Sequence, residues 1–491
     1  MKILWSKRTR MIEIALLSFL TIIGIGSQFY LNLAYSLNQG LYHYALGIHS
    51  NLLIIPAIMG NFAFALGVPL GHFLAHKLGF KKNFMLFSFI FLLGSILGFF
   101  SIGIISLSIS KVIQGLSTGI LFFTMLPKSF HVFPKRFKNV FLFMIIVGLF
   151  GANALGGLTG SITLFYAQWQ WIYIINILSA IISLIVGWLY FEKDDTTHQS
   201  TTKEDHTVVF FLALSSLSLL IPLCLITQYR FDSIKVWPWS IVTLILFVIF
   251  LYKNKQSHTP IVHFSTLLYP KPLLGSIMAI VSHLTLLIGI AAINFYLLQV
   301  IHLPPHQIQL FYIYFFIGVF ITGVLKMVFY SAWGPGVLGT IGSIALLYVS
   351  TNWYIMQNEL NLHSLYIQAM IIGFGSSMVL VSGAMSTLLD GDLSRASHRS
   401  LTMHSIRNYF AAILVPIIAV YMKHKIQKGI NDVQYNRIDN KAIIMKHIHD
   451  VFMDATHQLF LVMIILSSVL LISSIAQFFF GKSRRIVAKR R

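Results

Sequence analysis

The chain is written mostly in long apolar runs separated by short polar breaks. A helix needs roughly 20 apolar residues to cross a bilayer, and run after run meets that length. The breaks place spans at about 12–33, 50–72, 84–103, 104–126, 139–161, 170–191, 208–227, 236–252, 273–299, 309–329, 335–351, 365–389, 402–422 and 457–480. The expected fold is therefore an all-α polytopic membrane protein of about fourteen spans. The first run follows Lys2, Lys7, Arg8 and Arg10 and extends from Met11 to about Leu33. That exceeds the roughly 7–15 residues of a signal-peptide core, so it reads as a retained span with a cytoplasmic N-terminus.

Polar residues inside the runs carry the candidate chemistry. Lys111 lies well within the fourth run, where a charge costs at least about 2.5–3.5 kcal/mol on insertion scales. Such a lysine faces protein or a watery cavity. It would either carry a coupling proton or hold a fixed positive charge against an anion. The fifth run is crowded with Gly148, Gly151, Ala152, Ala154, Gly156, Gly157 and Gly160. Small residues let membrane helices approach closely. The sixth opens with Trp169-Gln-Trp171, read as an interfacial aromatic cluster, and carries a buried Asn176. Gln114, Asn32, Asn61, Asn153, Asn294 and Gln299 are further polar groups in apolar runs, suited to hydrogen bonds between helices or to a ligand. His283 is an intramembrane imidazole able to relay protons, and Arg407 sits with His404 in the thirteenth run.

Composition narrows the class. Of 491 residues, 57% are hydrophobic and 10% charged, far below the roughly 25% charged content of soluble domains. The net charge of +21 does not mark a nucleic-acid binder, because the cations fall between apolar runs and chiefly on one proposed side. About 25 of the 35 Lys and Arg lie on that side, about 8 on the other, and Lys111 and Arg407 within spans, which puts both termini in the cytoplasm. The single Cys224 excludes a disulfide framework and a cysteine metal site. The 19 histidines are scattered. No phosphate-binding loop, zinc motif or nucleophile elbow is present, so neither an enzyme, a metal nor a cofactor is expected.

Three runs of sequence resemble the major facilitator superfamily, specifically its fourteen-span drug:proton antiporter branch (EmrB/QacA-like). Lys111-Val-Ile-Gln114-Gly115 is similar to that branch's Arg-x-x-Gln-Gly run in span four. Ala152-Asn153-Ala154-Leu155-Gly156-Gly157 resembles its glycine-rich antiporter run in span five. Trp169-Gln-Trp-Ile-Tyr-Ile-Ile-Asn176 resembles its entrance to span six. The loop Gly71-His-Phe-Leu-Ala-His76-Lys77-Leu-Gly79-Phe-Lys81-Lys82 resembles the superfamily's loop that latches the two halves on the inner side, with His76 where an aspartate is usual. In span one Asn32 and Ala34 match, and Ser27 stands at the usual aspartate. By helical rise, Ser27 and Lys111 both lie roughly 22 Å from the inner end of their spans, so the two are expected in one layer. Glu13, the only acid of span one, lies roughly 20 Å away by the same rise.

The resemblance implies two six-helix bundles, residues 1–207 and 254–491, joined by two linking spans in 208–253. It implies an external loop at 423–456 and a basic cytoplasmic tail. It also implies a secondary active exporter of drugs or small organic metabolites, working by alternating access with protons, in a bacterial-type cytoplasmic (inner) membrane. The partners are then a small-molecule substrate, protons and the lipid bilayer, and 423–456 reads either as an amphipathic surface helix or as a docking surface for a periplasmic adaptor. Two alternatives stay open: a siderophore or metabolite transporter with different coupling, and a transport-inactive sensor or assembly subunit.

Overall fold

The computed structural model describes residues 7–132, 138–191, 205–356, 361–389, 395–435 and 441–480. Helices dominate these residues and no strand occurs among them. In hydrocarbon, backbone N–H and C=O groups must find partners within the protein, and a helix supplies them within one segment. α1 (Lys7–Leu37) bends by 42° between Gly24 and Gly26 and leads through a short α2 (Gln39–Leu46) to α3 (Ile54–Leu78). α4 (Phe80–Phe99) and α5 (Ile104–Val132) follow. α6 (Lys138–Ile146) and α7 (Ala152–Phe165) form one span through a π-helical turn at Val147–Gly151. Next come α8 (Trp171–Tyr190), α9 (His206–Leu225), α10 (Trp237–Gln256) and α11 (Pro270–Phe295). The last are α12 (Pro305–Ile355), α13 (Leu362–Leu389), α14 (Ala396–Tyr435) and α15 (Lys441–Ala476).

α12 has 51 residues, which laid straight would reach roughly 76 Å, more than twice the thickness of a bilayer core. It breaks instead at Gly334, where φ is 75° and ψ 179°. The first arm runs alongside α13 in the same direction. Gly318 lies against Met370, Thr322 Oγ1 donates to Phe374 O at 3.0 Å, and Lys326 Nζ donates to Met378 O at 2.7 Å. The second arm runs the other way. Gly342 meets Met378, Leu346 meets Gly375, and Trp353 Nε1 donates to Gln368 Oε1 at 2.8 Å. α12 is thus a helical hairpin. Among the described residues twelve helices are long and apolar enough to span a membrane, and they become fourteen when α12 counts as two and the bent α1 as one more.

The hairpin break has a counterpart. Gly79, between α3 and α4, has φ 83° and ψ 161°, nearly the backbone of Gly334. Only glycine takes this conformation without strain. The turn between the second and third spans is built the same way in each half. The halves meet along two seams: α6 and α7 against the first arm of α12, and α3 against α14. α9 covers the second seam, where Ser216 Oγ and Tyr409 OH are 2.6 Å apart and Lys423 Nζ donates to Thr227 O at 2.9 Å. α10 packs on α9, and Asn254 Oδ1 accepts from the N–H groups of Ile261 and Val262 to fasten its end to the approach of α11.

Small residues set the helix spacing. A Cβ on Gly115 would collide with the carbonyl of Gly60, and one on Gly71 would lie 2.5 Å from the carbonyl of Ile120, so α3 and α5 touch backbone to backbone. The small-residue stripe of the fifth span divides between two neighbours. Gly148 faces Ile22 and Gly156 faces the Tyr30 carbonyl, both on α1; Gly151 faces Phe316 and Gly157 faces the Tyr312 ring, both on α12.

Several expectations change. Segment 423–456 is not a loop over its described residues. It extends α14 and α15 as paired helices, joined by Lys425–Asp454 at 2.5 Å and by Gly429 against Val451. Interleaved apolar residues let both helices continue past the membrane-length stretch by packing on each other. Of the tryptophans that open the sixth span, Trp169 is 4% exposed and packed on Tyr42 and Tyr173, while Trp171 is 52% exposed. Lys326 joins Lys111 and Arg407 inside the helices. The linker 192–204, Asp390, Asp392 and the tail 481–491 lie outside the described residues.

Gly157→Leu should force its branched side chain into the Tyr312 ring, an overpacking cost of about 1–3 kcal/mol. The variant is expected to reach the membrane but to unfold at lower temperature than the parent in detergent. Parental thermal stability would show that the α7–α12 contact yields easily.

Candidate substrate and coupling site

Lys111 is 4% exposed and sits roughly 10 Å along α5 from its start. Its Nζ lies 4.5 Å from the centroid of the Tyr35 ring and 5.8 Å from that of Tyr173. Tyr42 and Trp169 complete the aromatic wall, with ring centroids 4.9 Å apart, and Tyr42 stacks on Tyr35 at 4.9 Å. The tight α3–α5 contact fixes the lysine from behind: a Cβ on Gly60 would lie 3.2 Å from the Lys111 Cβ. Ring faces attract an ammonium, by about 2 kcal/mol or more when water is excluded. None of Asp205, Asp232, Asp450 and Asp454, the acids whose side chains are described, is buried.

Ser27 does not share this layer. Its Oγ donates to Ile23 O at 2.6 Å, and the residue lines a cavity of about 440 Å³ between α1, α7, α8 and α12, with Tyr30, Asn176, Tyr312 and Phe316. Counting residues from helix ends sets depth along each axis, but tilt and rotation decide which faces meet. The lysine therefore finds Tyr35, two turns beyond Ser27.

A polar cluster lies elsewhere in the first half. Gln28 Nε2 donates to Asn32 Oδ1 at 3.0 Å and to Asn61 Oδ1 at 3.2 Å; Asn32 Nδ2 donates to Asn61 Oδ1 at 2.6 Å. Thr118 Oγ1 donates to Gln28 Oε1 at 3.1 Å. Sequence reading found Asn32 and Asn61 but missed Gln28, which lies four residues before Asn32 on the same helical face, and Thr118. Gln114 points away from the cluster, donating to Ser95 Oγ on α4 at 3.1 Å.

Between the halves an aromatic spine meets a basic pair. Phe29 contacts Phe64 at 6.1 Å and His283 at 5.8 Å, and Phe122 contacts Phe64 at 5.8 Å and His404 at 5.1 Å. The Arg407 guanidinium lies 5.8 Å over the Phe122 ring. Residues of α1, α3 and α5 are thus brought against α11 and α14. Asn294 accepts from Tyr312 OH at 2.8 Å and so stands behind the Gly157 contact. Two candidates leave the site. Gln299 is exposed at the π-helical end of α11, and Asn153 is half-buried with a single long bond to Leu149 O at 3.5 Å. Each turns its face from the centre although each lies in an apolar run.

The loop after α3 behaves differently from the expected latch. Lys81 Nζ donates to Trp188 O at 3.0 Å and to Phe191 O, capping α8 within its own half. Lys77, Lys82 and His76 are exposed. The contact across the halves comes from histidines: His72 is 4.5 Å from His76 and 6.2 Å from His398 of α14, which stacks on His263 at 4.0 Å. No group of side chains among the described residues could hold a metal ion.

Burial first, and His398 second, pull the His263 imidazole from its ordinary 6.5 down to about 4. Its folded form resists protonation, so its share of stability is complete above about pH 6.5 and is lost as pH falls toward about 4. Thermal stability of the parent should therefore fall more steeply from pH 7.5 to pH 4.5 than that of His263→Phe. Equal slopes would show that His263 does not contribute.

A family model for the Major Facilitator Superfamily matches residues 14–416. "Uncharacterized MFS-type transporter YubD" of Bacillus subtilis (strain 168) is 26% identical over 96% of this chain and 90% of its own. "Multidrug resistance protein 3" of the same organism is 30% identical over 40% of this chain and 38% of its own. "Multidrug efflux pump SdrM" of Staphylococcus aureus (strain N315) is 31% identical over 25% and 28%. With a family match over most of its length and membrane-length helices in two facing halves, the chain belongs to the Major Facilitator Superfamily, whose members are transporters and not enzymes.

Proposed function

We propose that the chain exports small organic molecules by proton-coupled alternating access, as a fourteen-span member of the drug:proton antiporter branch. The supporting observation is the centre between the halves, where Phe29, Phe64 and Phe122 of one half face His283, His404 and Arg407 of the other. Aromatic faces with a few placed polar groups suit a small organic ligand. A pair of repeated halves meeting at such a layer suits rocking about a fixed site. Similarity to proteins named for multidrug resistance and efflux supports export. The bacterial relatives and the cation distribution support a cytoplasmic membrane with both termini in the cytoplasm.

Coupling falls to a cation in this reading. The usual carboxylate of span one is replaced by Ser27, and none of the acids whose side chains are described, Asp205, Asp232, Asp450 and Asp454, is buried. Lys111 can bind and release a proton, whereas an arginine stays charged. Its two tyrosine faces stabilise the ammonium, and protonation there changes how tightly α5 holds α1 and α8. The proton thus biases the outer ends of the first half, while substrate binds at the seam.

Purified chain in proteoliposomes should move fluorescein or ethidium when a pH gradient is imposed. Lys111→Ala should lower gradient-driven flux by at least about tenfold, a change of about 1.4 kcal/mol. Lys111→Arg should keep substrate exchange without a gradient and lose the response to one. Parental gradient-driven flux in Lys111→Ala would overturn the coupling role. Absence of flux for both dyes under either condition would overturn the exporter reading.

A further inference from the structure

Arg407 of α14 is fully buried, at 0% exposure. Its Nε and Nη1 have no hydrogen-bond partner among the described residues, and its Nη2 reaches only Asn408 Oδ1, at 3.5 Å. A guanidinium carries five N–H donors and no acceptor. Leaving such a charge buried and unpaired costs several kcal/mol. The surroundings add further donors. Asn408 Nδ2 has no partner, and neither do His283 Nδ1 and His404 Nδ1, ring nitrogens that donate in one of the two neutral tautomers.

The other buried cations among the described residues are Lys111, Lys271, Lys326 and Arg399, and none of them is without a partner. Lys326 Nζ donates to Met378 O and Ser382 Oγ. Arg399 donates to the carbonyls of Thr387 and Leu388. Lys111 has its aromatic faces. Arg407 alone of these five buried cations combines full burial with two idle donor nitrogens, and it faces the seam between the halves. Of the carboxylates whose side chains are described, Asp205, Asp232, Asp450 and Asp454, none is buried beside it.

We infer that the transported molecule is an organic anion, with a carboxylate or similar oxyanion held by Arg407 and an aromatic or apolar body against Phe29, Phe64 and Phe122. The inference rests on the transporter reading above and names the substrate class of that site. An oxyanion supplies the acceptors the guanidinium needs, in the planar two-point geometry that arginine favours. Asn408 and the two histidines bring spare donors close to the same guanidinium. The phenylalanine faces exclude water and strengthen the pairing. A membrane cation would meet Arg407 and no buried carboxylate, so lipophilic cations are selected against.

The test uses three probes of one shape: 1-naphthoate, the neutral 1-naphthamide and the cationic 1-naphthylmethylammonium. Binding to the full chain in phosphatidylcholine nanodiscs is measured by titration calorimetry. Naphthoate should bind roughly 10- to 100-fold more tightly than the amide, as a charge-assisted pair predicts, and the ammonium most weakly. Arg407→Gln should abolish the preference and Arg407→Lys should keep part of it. The parent comparison needs no variant to fold. Equal or tighter binding of amide or ammonium, no binding of naphthoate, or an unchanged preference in folded Arg407→Gln would overturn the inference. Displacement of naphthoate by phosphatidylglycerol would also overturn it, by assigning the charge to a lipid headgroup. Ethidium flux without anion preference would sink the anion site and leave the exporter. Arg407-dependent naphthoate binding with no flux of any probe would keep the site and sink the exporter.

Discussion

Buried positive charge without buried negative charge is the constraint on which this structure turns. The described residues hold Lys111, Lys271, Lys326, Arg399 and Arg407 inside the protein, and none of Asp205, Asp232, Asp450 and Asp454, the acids whose side chains are described, is buried with them. In a low-dielectric interior an ion must be answered by polar groups or by an opposite charge. The chain uses three answers. Carbonyls and a hydroxyl hold Lys326, and the end of α13 takes up Arg399. Tyrosine faces hold Lys111. The seam leaves Arg407 with most of its donors idle, and there the fold gives way to chemistry.

These answers depend on how closely the helices approach. Without a hydrophobic force between helices in lipid, packing and polar contacts decide which faces meet. Gly60 against Gly115 and Gly71 against Ile120 bring α3 onto α5, which presses Lys111 toward Tyr35 and Tyr173. Gly318 against Met370 does the same for α12 and α13, and about two helical turns along from it Lys326 reaches the α13 backbone. The Gly79 and Gly334 turns share one backbone conformation. Two halves built on one plan thus hold their cations by different means, and that difference separates a candidate coupling residue from a structural one.

The seams divide labour. Along one, Gly151 and Gly157 of the fifth span rest on aromatic rings of α12, a smooth contact between a flat helix face and planar side chains. Along the other, α3 and α14 bring histidines together near the α3–α4 turn and are covered by α9. Movement of one half over the other must break ring contacts on both sides. Phe29, His283, Phe122 and His404 lie between, so any such movement changes the surroundings of Arg407.

The amino-acid sequence by itself determined the helical, membrane-spanning class, because run length and low charge allow nothing else in a bilayer. It also determined that Lys111 is buried, that the fifth span packs closely through its small residues, and that Gly79 needs a glycine-only turn. The family pattern was legible at Lys111-Val-Ile-Gln114-Gly115 for the same reason: these residues act locally along one helix. What only the tertiary structure decided is which faces meet. Hydropathy reports depth in the membrane and is blind to rotation about the helix axis. Hence Ser27 turned to a lateral cavity, Gln299 to the surface, Trp169 inward and Gln28 into a network with Asn61. The two arms of α12 became antiparallel at one glycine. The approach of Arg407 to His283, 124 residues away along the chain, arises from α14 lying on α11, a contact that no periodicity along either segment encodes.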